Sequence, residues 1–372
     1  MNDGAIRPQR SKFLRYAAAY LPFWQKKGIG LYGYFGHGDL GDDAAFYAGR
    51  SLLREPLLPI SKRCHAFNPH MLKGLLIGGG AVLKSQCPFI PRRLLTKDKW
   101  NFPVVLFSAG VGCDYNQQFS KDAEDKIRKL CRICDYLSVR DKLSQQLLNR
   151  LGFSEVAILP HLELALEERP REFDFNKNNF TVGIVLTPHS DFAPETFEKI
   201  IDAFSQFTDY LTAQGNDVIF LPFEKQSSEN TKESEVISAI IKRLKAKERV
   251  RVLEGDIEPQ EMLFAIKKYC DMMVCMRLHG AVFSTNAGLP FLCLSYNLMH
   301  DGFLGMLDAG DLGMSLFNGF SFQALKNKFE YALENYESIK SRLIGKRDSL
   351  RSIIYNQITG IKKVLRLFAQ GN

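Results

Sequence analysis

The densest chemistry in the chain lies in Met276-Arg277-Leu278-His279-Gly280, behind the apolar run Met272 to Cys275. Read as the end of a strand, this spacing puts Arg277 and His279, two residues apart, on one face. Gly280 then opens a helix, whose first-turn amides have no partners inside the helix and sit at the positive end of its dipole. A cation, an imidazole that titrates near neutral pH and a helix N-terminus suit two tasks together: holding a small anion and moving a proton. A single histidine is more often a satisfied core residue; the company His279 keeps favours catalysis.

Three further stretches carry candidate chemistry. Gly36-His37-Gly38-Asp39-Leu40-Gly41 is a G-x-G-x-x-G between a predicted strand and a predicted helix. Glycines in that setting let a backbone approach a phosphate at a helix N-terminus. Its acids argue against a dinucleotide. Asp39, Asp42 and Asp43 would repel a pyrophosphate, and Cys64-His65-Ala66-Phe67-Asn68 offers no acid for a ribose. Asp39 and Asp42 suit sugar hydroxyls, with Gly38 allowing close approach; the alternative is that Asp42 or Asp43 only caps the helix. Gly78-Gly79-Gly80 at another strand end permits close backbone approach to something bulky, a ligand or another loop. In Ser138-Val139-Arg140-Asp141, Arg140 falls where a strand meets a helix and is expected to project into a cleft, where a guanidinium fits a carboxylate or phosphate. The plainer reading is a surface arginine paired with Asp141.

These loops need elements to position them, and a βα rhythm supplies them. Strands are expected at 29–35, 75–77, 104–108, 136–139 and 156–159, with helices at 43–53, 123–134 and 142–151. A second series places strands at 181–186, 217–221, 250–253, 272–276 and 291–296 between helices at 195–213, 234–245, 259–269 and 281–286. Helices resume from Phe322. Continuous apolar strands alternating with helices predict parallel sheets covered on both faces. The fold class is therefore α/β, with two doubly wound, Rossmann-like domains facing a cleft. The expected divisions are a basic and aromatic segment at 1–27, a first domain at 28–166 on the acceptor side and a linker at 167–179. A second domain at 180–345 on the donor side and a helical tail at 346–372 complete them. Ligands of such sheets sit beyond the carboxyl ends of the strands.

The chain has 372 residues, 45% hydrophobic and 24% charged, which excludes disordered, collagen-like and coiled-coil classes. Its 49 basic against 41 acidic residues, net +8, favour anionic partners without choosing among them, and are far from a nucleic-acid-binding excess. The eight cysteines lie mainly in apolar contexts, as expected of reduced thiols in a cytoplasmic protein. No secretory signal or membrane-spanning run is apparent. Within the first segment, Arg7, Arg10, Lys12, Arg15, Lys26 and Lys27 alternate with Phe13, Tyr16, Tyr20, Phe23 and Trp24. That pattern suits a helix lying on the inner face of a membrane; a helix packed on its own domain is the alternative.

Taken in order, Gly33-Tyr-Phe-Gly-His-Gly-Asp-Leu-Gly-Asp42, Gly78 to Gly80, Ser138-Val-Arg-Asp141, Leu221-Pro-Phe223, Met276-Arg-Leu-His-Gly280, Ala287-Gly-Leu-Pro290 and Ser295-Tyr296 resemble the polysaccharide pyruvyl transferase family. The resemblance runs from about Gly30 to Leu307. It implies a GT-B-like fold, phosphoenolpyruvate as donor, and a sugar or lipid-linked oligosaccharide as acceptor of a pyruvate ketal. It implies that Arg140, Arg277 and His279 are the positions to watch; with the acidic loop's chemistry added, His279, Arg277 and Asp42 are the expected catalytic positions. Arg140, Leu278, Gly280, Asp39, Gly38, Gly79, Gly80 and Tyr296 become binding positions. No metal or redox cofactor is needed for that chemistry. The chain departs from the family at Asp39, where Asn is common, at His161, where Asp is usual, and at Tyr296-Asn297-Leu298-Met299, where Tyr-Asp-Pro-Lys is frequent. A nucleotide-sugar glycosyltransferase, or a non-catalytic glycan- or dinucleotide-binding protein on the same fold, are the rival readings.

Overall fold

The computed structural model describes residues 27–61, 68–86, 88, 90, 92–113, 115, 118–174, 177–187, 192–224 and 232–367. The basic and aromatic segment therefore lies outside the described residues, apart from Lys27. Strand β1 (Gly28–Tyr32) is buried along its whole length. It ends earlier than the apolar run suggests, and Gly36 and Gly38, both at positive φ, then turn the chain. Asp39 then caps helix α1 (Leu40–Leu53), three residues ahead of the predicted start. Strand β2 (Leu57–Ile60) was not expected from its four residues and internal Pro59. It lies at the sheet edge, where a proline's missing amide breaks no ladder.

Strands β3 (Leu72–Gly78), β5 (Val104–Ala109), β7 (Tyr136–Val139) and β8 (Ala157–Ile158) complete a first sheet, and the two-residue strands β4 (Leu83–Lys84) and β6 (Val111–Gly112) pair beside it. Helices α2 (Lys121–Ile133) and α3 (Lys142–Arg150) flank β7 in sequence. The order β2-β1-β3-β5-β7-β8 is parallel throughout. The second sheet contains β9 (Thr181–Val185), β10 (Asp217–Phe220), β11 (Val250–Val252), β12 (Met272–Cys275), β13 (Phe291–Ser295) and β14 (Gly313–Ser315). Its parallel order is β11-β10-β9-β12-β13-β14. Helices α4 (Pro194–Ala213), α5 (Lys232–Arg243), α6 (Pro259–Tyr269), α7 (Leu278–Ala287), α8 (Leu298–Met306), α9 (Phe322–Glu334) and α10 (Tyr336–Leu367) follow. The fold is thus two Rossmann-like α/β halves.

The halves do more than face each other. One apolar cluster runs from Leu31 and Phe35 through Leu162 and Leu164 into Val182, Phe283 and Ile354. The described residues of 167–179 are pinned to α6 and its flanks: Arg169 and Arg171 pair with Glu261, Lys177 with Asp271 and Glu172 with Lys268. The division drawn at 345/346 falls inside α10, which is one continuous helix of 32 residues. Its buried Ile354, Ile358 and Ile361 keep helical spacing. Arg351 Nε donates to Leu164 O at 2.6 Å and its Nη2 to Asn286 Oδ1 at 2.7 Å, while Gln357 meets the Tyr136 hydroxyl. The helix therefore returns to the first half and straps it to the second. Among the described residues, no helix is long and apolar enough to cross a membrane.

Candidate active site

In the first sheet the strand order reverses between β1 and β3, and the loops leaving them hold Gly33 to Asp39 and Gly78 to Gly80. In the second it reverses between β9 and β12, and Arg277 follows β12. A reversal sends neighbouring connections to opposite faces and opens a crevice at the carboxyl edge. Here the two crevices meet. Leu40 N donates to Phe223 O at 2.9 Å, and Asp39 and Glu224 form an isolated antiparallel bridge.

Asp39 is the hub. Its Oδ1 accepts from Gly41 N at 2.8 Å and Asp42 N at 3.2 Å, capping α1, while its Oδ2 takes Arg277 Nη1. Arg277 Nη2 donates to Glu224 Oε1 at 2.6 Å. His279 stands between two carboxylates, Nδ1 3.6 Å from Asp39 Oδ1 and Nε2 3.5 Å from Glu163 Oε1. Glu163 Oε2 is 3.7 Å from His161 Nδ1. Glu233 accepts from Phe223 N at 3.1 Å and Glu224 N at 2.8 Å, fixing the loop that presents Glu224. Asp43 Oδ1 accepts from Gly36 N at 2.9 Å and ties the glycine loop to α1. Behind this layer, His300 ring nitrogens stand 2.8 Å from Asn297 Oδ1 and 3.0 Å from Met276 O, bracing the approach to Arg277.

The charges follow from this geometry. Burial works against a charged His279, but its contact with Asp39 and the fields of Asp39, Glu163 and Asp42 prevail and raise its pKa. Burial would likewise raise Asp39, yet Arg277 and His279 hold it well below the carboxylate range. Glu163 is also lowered: burial is outweighed by His161 and His279. Asp42 goes the other way, pushed up to about 7 by burial and by the negative charge of Asp39. Burial lifts Glu233 to about 7 as well. Burial and the charge of Arg140 lower His161, and burial takes His300 down to about 4. The centre thus sets an imidazole whose protonated form is favoured by its carboxylate neighbours beside a carboxyl group that titrates near neutral pH.

Among the described residues, several buried nitrogens make no hydrogen bond: Arg140 Nε and Nη2, His161 Nε2, His279 Nε2 and Arg277 Nε. Each unpaired buried group costs about 1–3 kcal/mol, so the orphaned guanidinium nitrogens are what an anionic ligand would relieve. Arg140 is 3% exposed, with Asp141 Oδ2 3.6 Å from its Nε. A Cβ on Gly110 would collide with its guanidinium.

The sequence-predicted residues Asp39, Asp42, Arg277 and His279 come together, with differences in how. Arg277 and His279 do not share a strand face; β12 ends at Cys275, Arg277 is the N-cap residue of α7 and His279 lies in its first turn. Gly280 offers no free amide, since its N donates to Arg277 O at 2.9 Å. It is glycine because a Cβ would lie 3.1 Å from Cys275 Sγ. Leu278 is buried. The cap of α1 is Asp39, not Asp42 or Asp43. The close approach at Gly79 and Gly80 is to α1: added Cβ atoms would lie 3.3 Å from Ala45 Cβ and 2.6 Å from Asp42 Oδ1. Gly38, with φ 94°, leads the chain into the Asp39 cap. Arg140 is sealed beneath the surface rather than projecting into an open cleft. Tyr296 is a buried wall, its ring against Phe192 and His300. Sequence reasoning missed Glu163, Glu224 and Glu233. A lone acid in the apolar run Leu159 to Leu166, and an acid directly after Leu221-Pro-Phe223, were the available signals.

A family model described as polysaccharide pyruvyl transferase matches residues 5–297. The amylovoran biosynthesis protein AmsJ of Erwinia amylovora is 20% identical over 275 residues, covering 69% of this chain; the match spans 64% of that relative's length, under two thirds. Among solved structures, Anabaena HepE, crystallised with UDP-glucose, superposes with a TM-score of 0.54 at 12% identity, over 90% of this chain and 99% of that one. UDP-GlcNAc 2-epimerase from Neisseria meningitidis gives 0.55 at 11%, over 91% and 99%. At such identities these likenesses bear on the fold alone, which is GT-B.

Proposed function

The chain belongs to the polysaccharide pyruvyl transferase family, and from that premise we propose that it moves pyruvate from phosphoenolpyruvate to sugar hydroxyls of a cell-surface polysaccharide or its lipid-linked precursor, on the cytoplasmic side of the membrane. The observation that carries the reading is His279, whose protonated form is favoured by Asp39 and Glu163 on either side, beside buried arginines with nitrogens that make no hydrogen bond. His279 delivers its proton to the methylene carbon of the enol, and C2 becomes electrophilic. A sugar hydroxyl forms a bond to C2 and releases its proton to Asp42, whose carboxyl titrates near 7. The C2–O bond to phosphate breaks, phosphate leaving with that electron pair and taking up the proton held on Asp42, and a second hydroxyl adds to C2 and returns its proton to His279 to close the ketal. One diol and one phosphoenolpyruvate become one ketal and inorganic phosphate. In this reading Arg277, and buried Arg140 through its field, supply the positive charge that the donor's carboxylate and phosphate need.

The test is phosphate release from phosphoenolpyruvate against a panel of sugar acceptors, with mass spectrometry of the products. Acceptor-dependent release and a product carrying a pyruvate ketal support the reading. Protection from thermal unfolding by UDP but not by phosphoenolpyruvate would instead favour a nucleotide-sugar transferase.

A further inference from the structure

The loop after β14 carries a feature that donor chemistry does not use. Phe317 is 55% and Tyr115 38% exposed; with Ser315 and Asn318 they line a cavity of about 430 Å3. Tyr115 belongs to the first half, and its hydroxyl donates to Asp301 Oδ1 at 3.1 Å in the first turn of α8, so the cavity has walls from both halves. The Phe317 ring is held in place. Ser315 Oγ accepts from Phe317 N at 3.3 Å and Asn318 N at 3.2 Å, and the ring stands edge-on to Phe192 with centroids 6.1 Å apart. Phe192 is edge-on to Tyr296 at 5.4 Å, and Tyr296 lies within the fields of Arg277 and Asp39. Ser315 ends β14 at the carboxyl edge, as Arg277 follows the carboxyl end of β12. An aromatic wall therefore runs from the reaction centre to the open face of Phe317.

We propose that this cavity seats a pyranose ring of the acceptor glycan, beyond the sugar that reacts. The inference rests on the reading of the chain as acting on a glycan. A pyranose has an apolar C–H face and a rim of hydroxyls. Phe317 supplies an exposed ring for the first. The Asn318 amide and the accepting lone pairs of the Tyr115 hydroxyl serve the second. Among the described lining residues none is charged, so a phosphate or nucleoside diphosphate there would lose hydration without gaining a cation. The positive charge lies around Arg277; this cavity, uncharged among its described lining residues, suits the uncharged part of the acceptor.

The experiment uses the full chain, as wild type, Phe317→Ala, Phe317→Tyr and Asn318→Ala, each checked for an unchanged melting temperature. Neutral gluco- and galacto-oligosaccharides, di- to tetrasaccharides, are titrated by ligand-observed NMR, with UDP as a separate arm. Acceptor KM, kcat and phosphoenolpyruvate KM are measured alongside. Oligosaccharides should bind the wild type. Phe317→Ala should weaken them by roughly 3- to 10-fold and Phe317→Tyr should retain them. Acceptor KM should rise with kcat and donor KM unchanged. No oligosaccharide binding to the wild type, equal binding by Phe317→Ala, or loss of UDP binding instead would overturn the proposal. If oligosaccharides bind through Phe317 yet no acceptor releases phosphate, the glycan seat stands and pyruvyl transfer falls. If phosphate is released but acceptor KM ignores Phe317, the reverse holds.

Discussion

Asp39→Asn separates two jobs that Asp39 performs at once. An asparagine oxygen can still accept from Gly41 and Asp42 amides, so the cap of α1 survives. The other end of the side chain becomes an amide N–H2 facing the Arg277 guanidinium, and the ion pair is lost. Losing a hydrogen bond between charged groups costs about 1.5–3 kcal/mol; Arg277 keeps Glu224 at 2.6 Å and the buried Asp39 charge is no longer desolvated, which favours the lower end. Asp39→Ala removes the cap too and should cost about 1 kcal/mol more. Urea denaturation at pH 7 should therefore rank wild type above Asp39→Asn above Asp39→Ala. The sign with pH follows from the depressed carboxyl: its contribution is complete above the unfolded value of about 4 and disappears as pH falls toward the folded one. The gap between wild type and Asp39→Asn should close in acid. The same substitution frees Arg277 Nη1 and removes a negative charge facing the donor, so calorimetric affinity for phosphoenolpyruvate should rise. Weaker donor binding, or equal stability of the Asn and Ala variants, would refute this account of Asp39.

Glu163→Gln withdraws one of the carboxylates that favour the charged form of His279, so the basic limb of the kcat–pH profile should move to lower pH; an unmoved limb means Glu163 only packs. Asp42 has a raised folded pKa, so its charge destabilises the fold increasingly as pH rises from the unfolded value toward about 7. Asp42→Asn should then melt higher than wild type at pH 8 while losing turnover, and a lower melting temperature would contradict the burial argument. His279→Ala should cut turnover by roughly 10²–10⁴ with donor binding nearly intact, and His279→Gln should not restore it; retained activity in the Gln variant would leave His279 a positioning group. Gly41→Ala places a methyl into the His279 ring, so it should lower kcat at least as much as stability, and a variant with full activity would show that the imidazole is free to move.

What the sequence made readable was whatever depends on neighbours in the chain. Continuous apolar runs such as Val104–Ala109 and Phe291–Ser295 announced parallel strands, and Pro259–Tyr269 carried both a helical period and its own start signal. Pro59 hid β2 because the rule it appears to break applies only to interior strands, and edge position is a property of the sheet. Helix α8 was missed because Asn297 was weighed as a replaced family residue rather than as a cap accepting from Met299 N. The site divides in the same way. Arg277 and His279 could be found from two residues of spacing. Their partners could not, since Asp39 lies 238 residues from Arg277 in the chain and Glu163 reaches His279 only after the short turn Leu162–Ala165 is drawn under α7, where Asn286 Nδ2 donates to Glu163 O at 2.6 Å. That contact holds the carboxylate from the backbone side. Arg351 of α10 donates to Asn286 Oδ1 and fixes the same amide. The setting of the His279 imidazole is therefore tied, through Asn286 and Glu163, to a helix from the far end of the chain, and no local reading of Met276 to Gly280 contains that link.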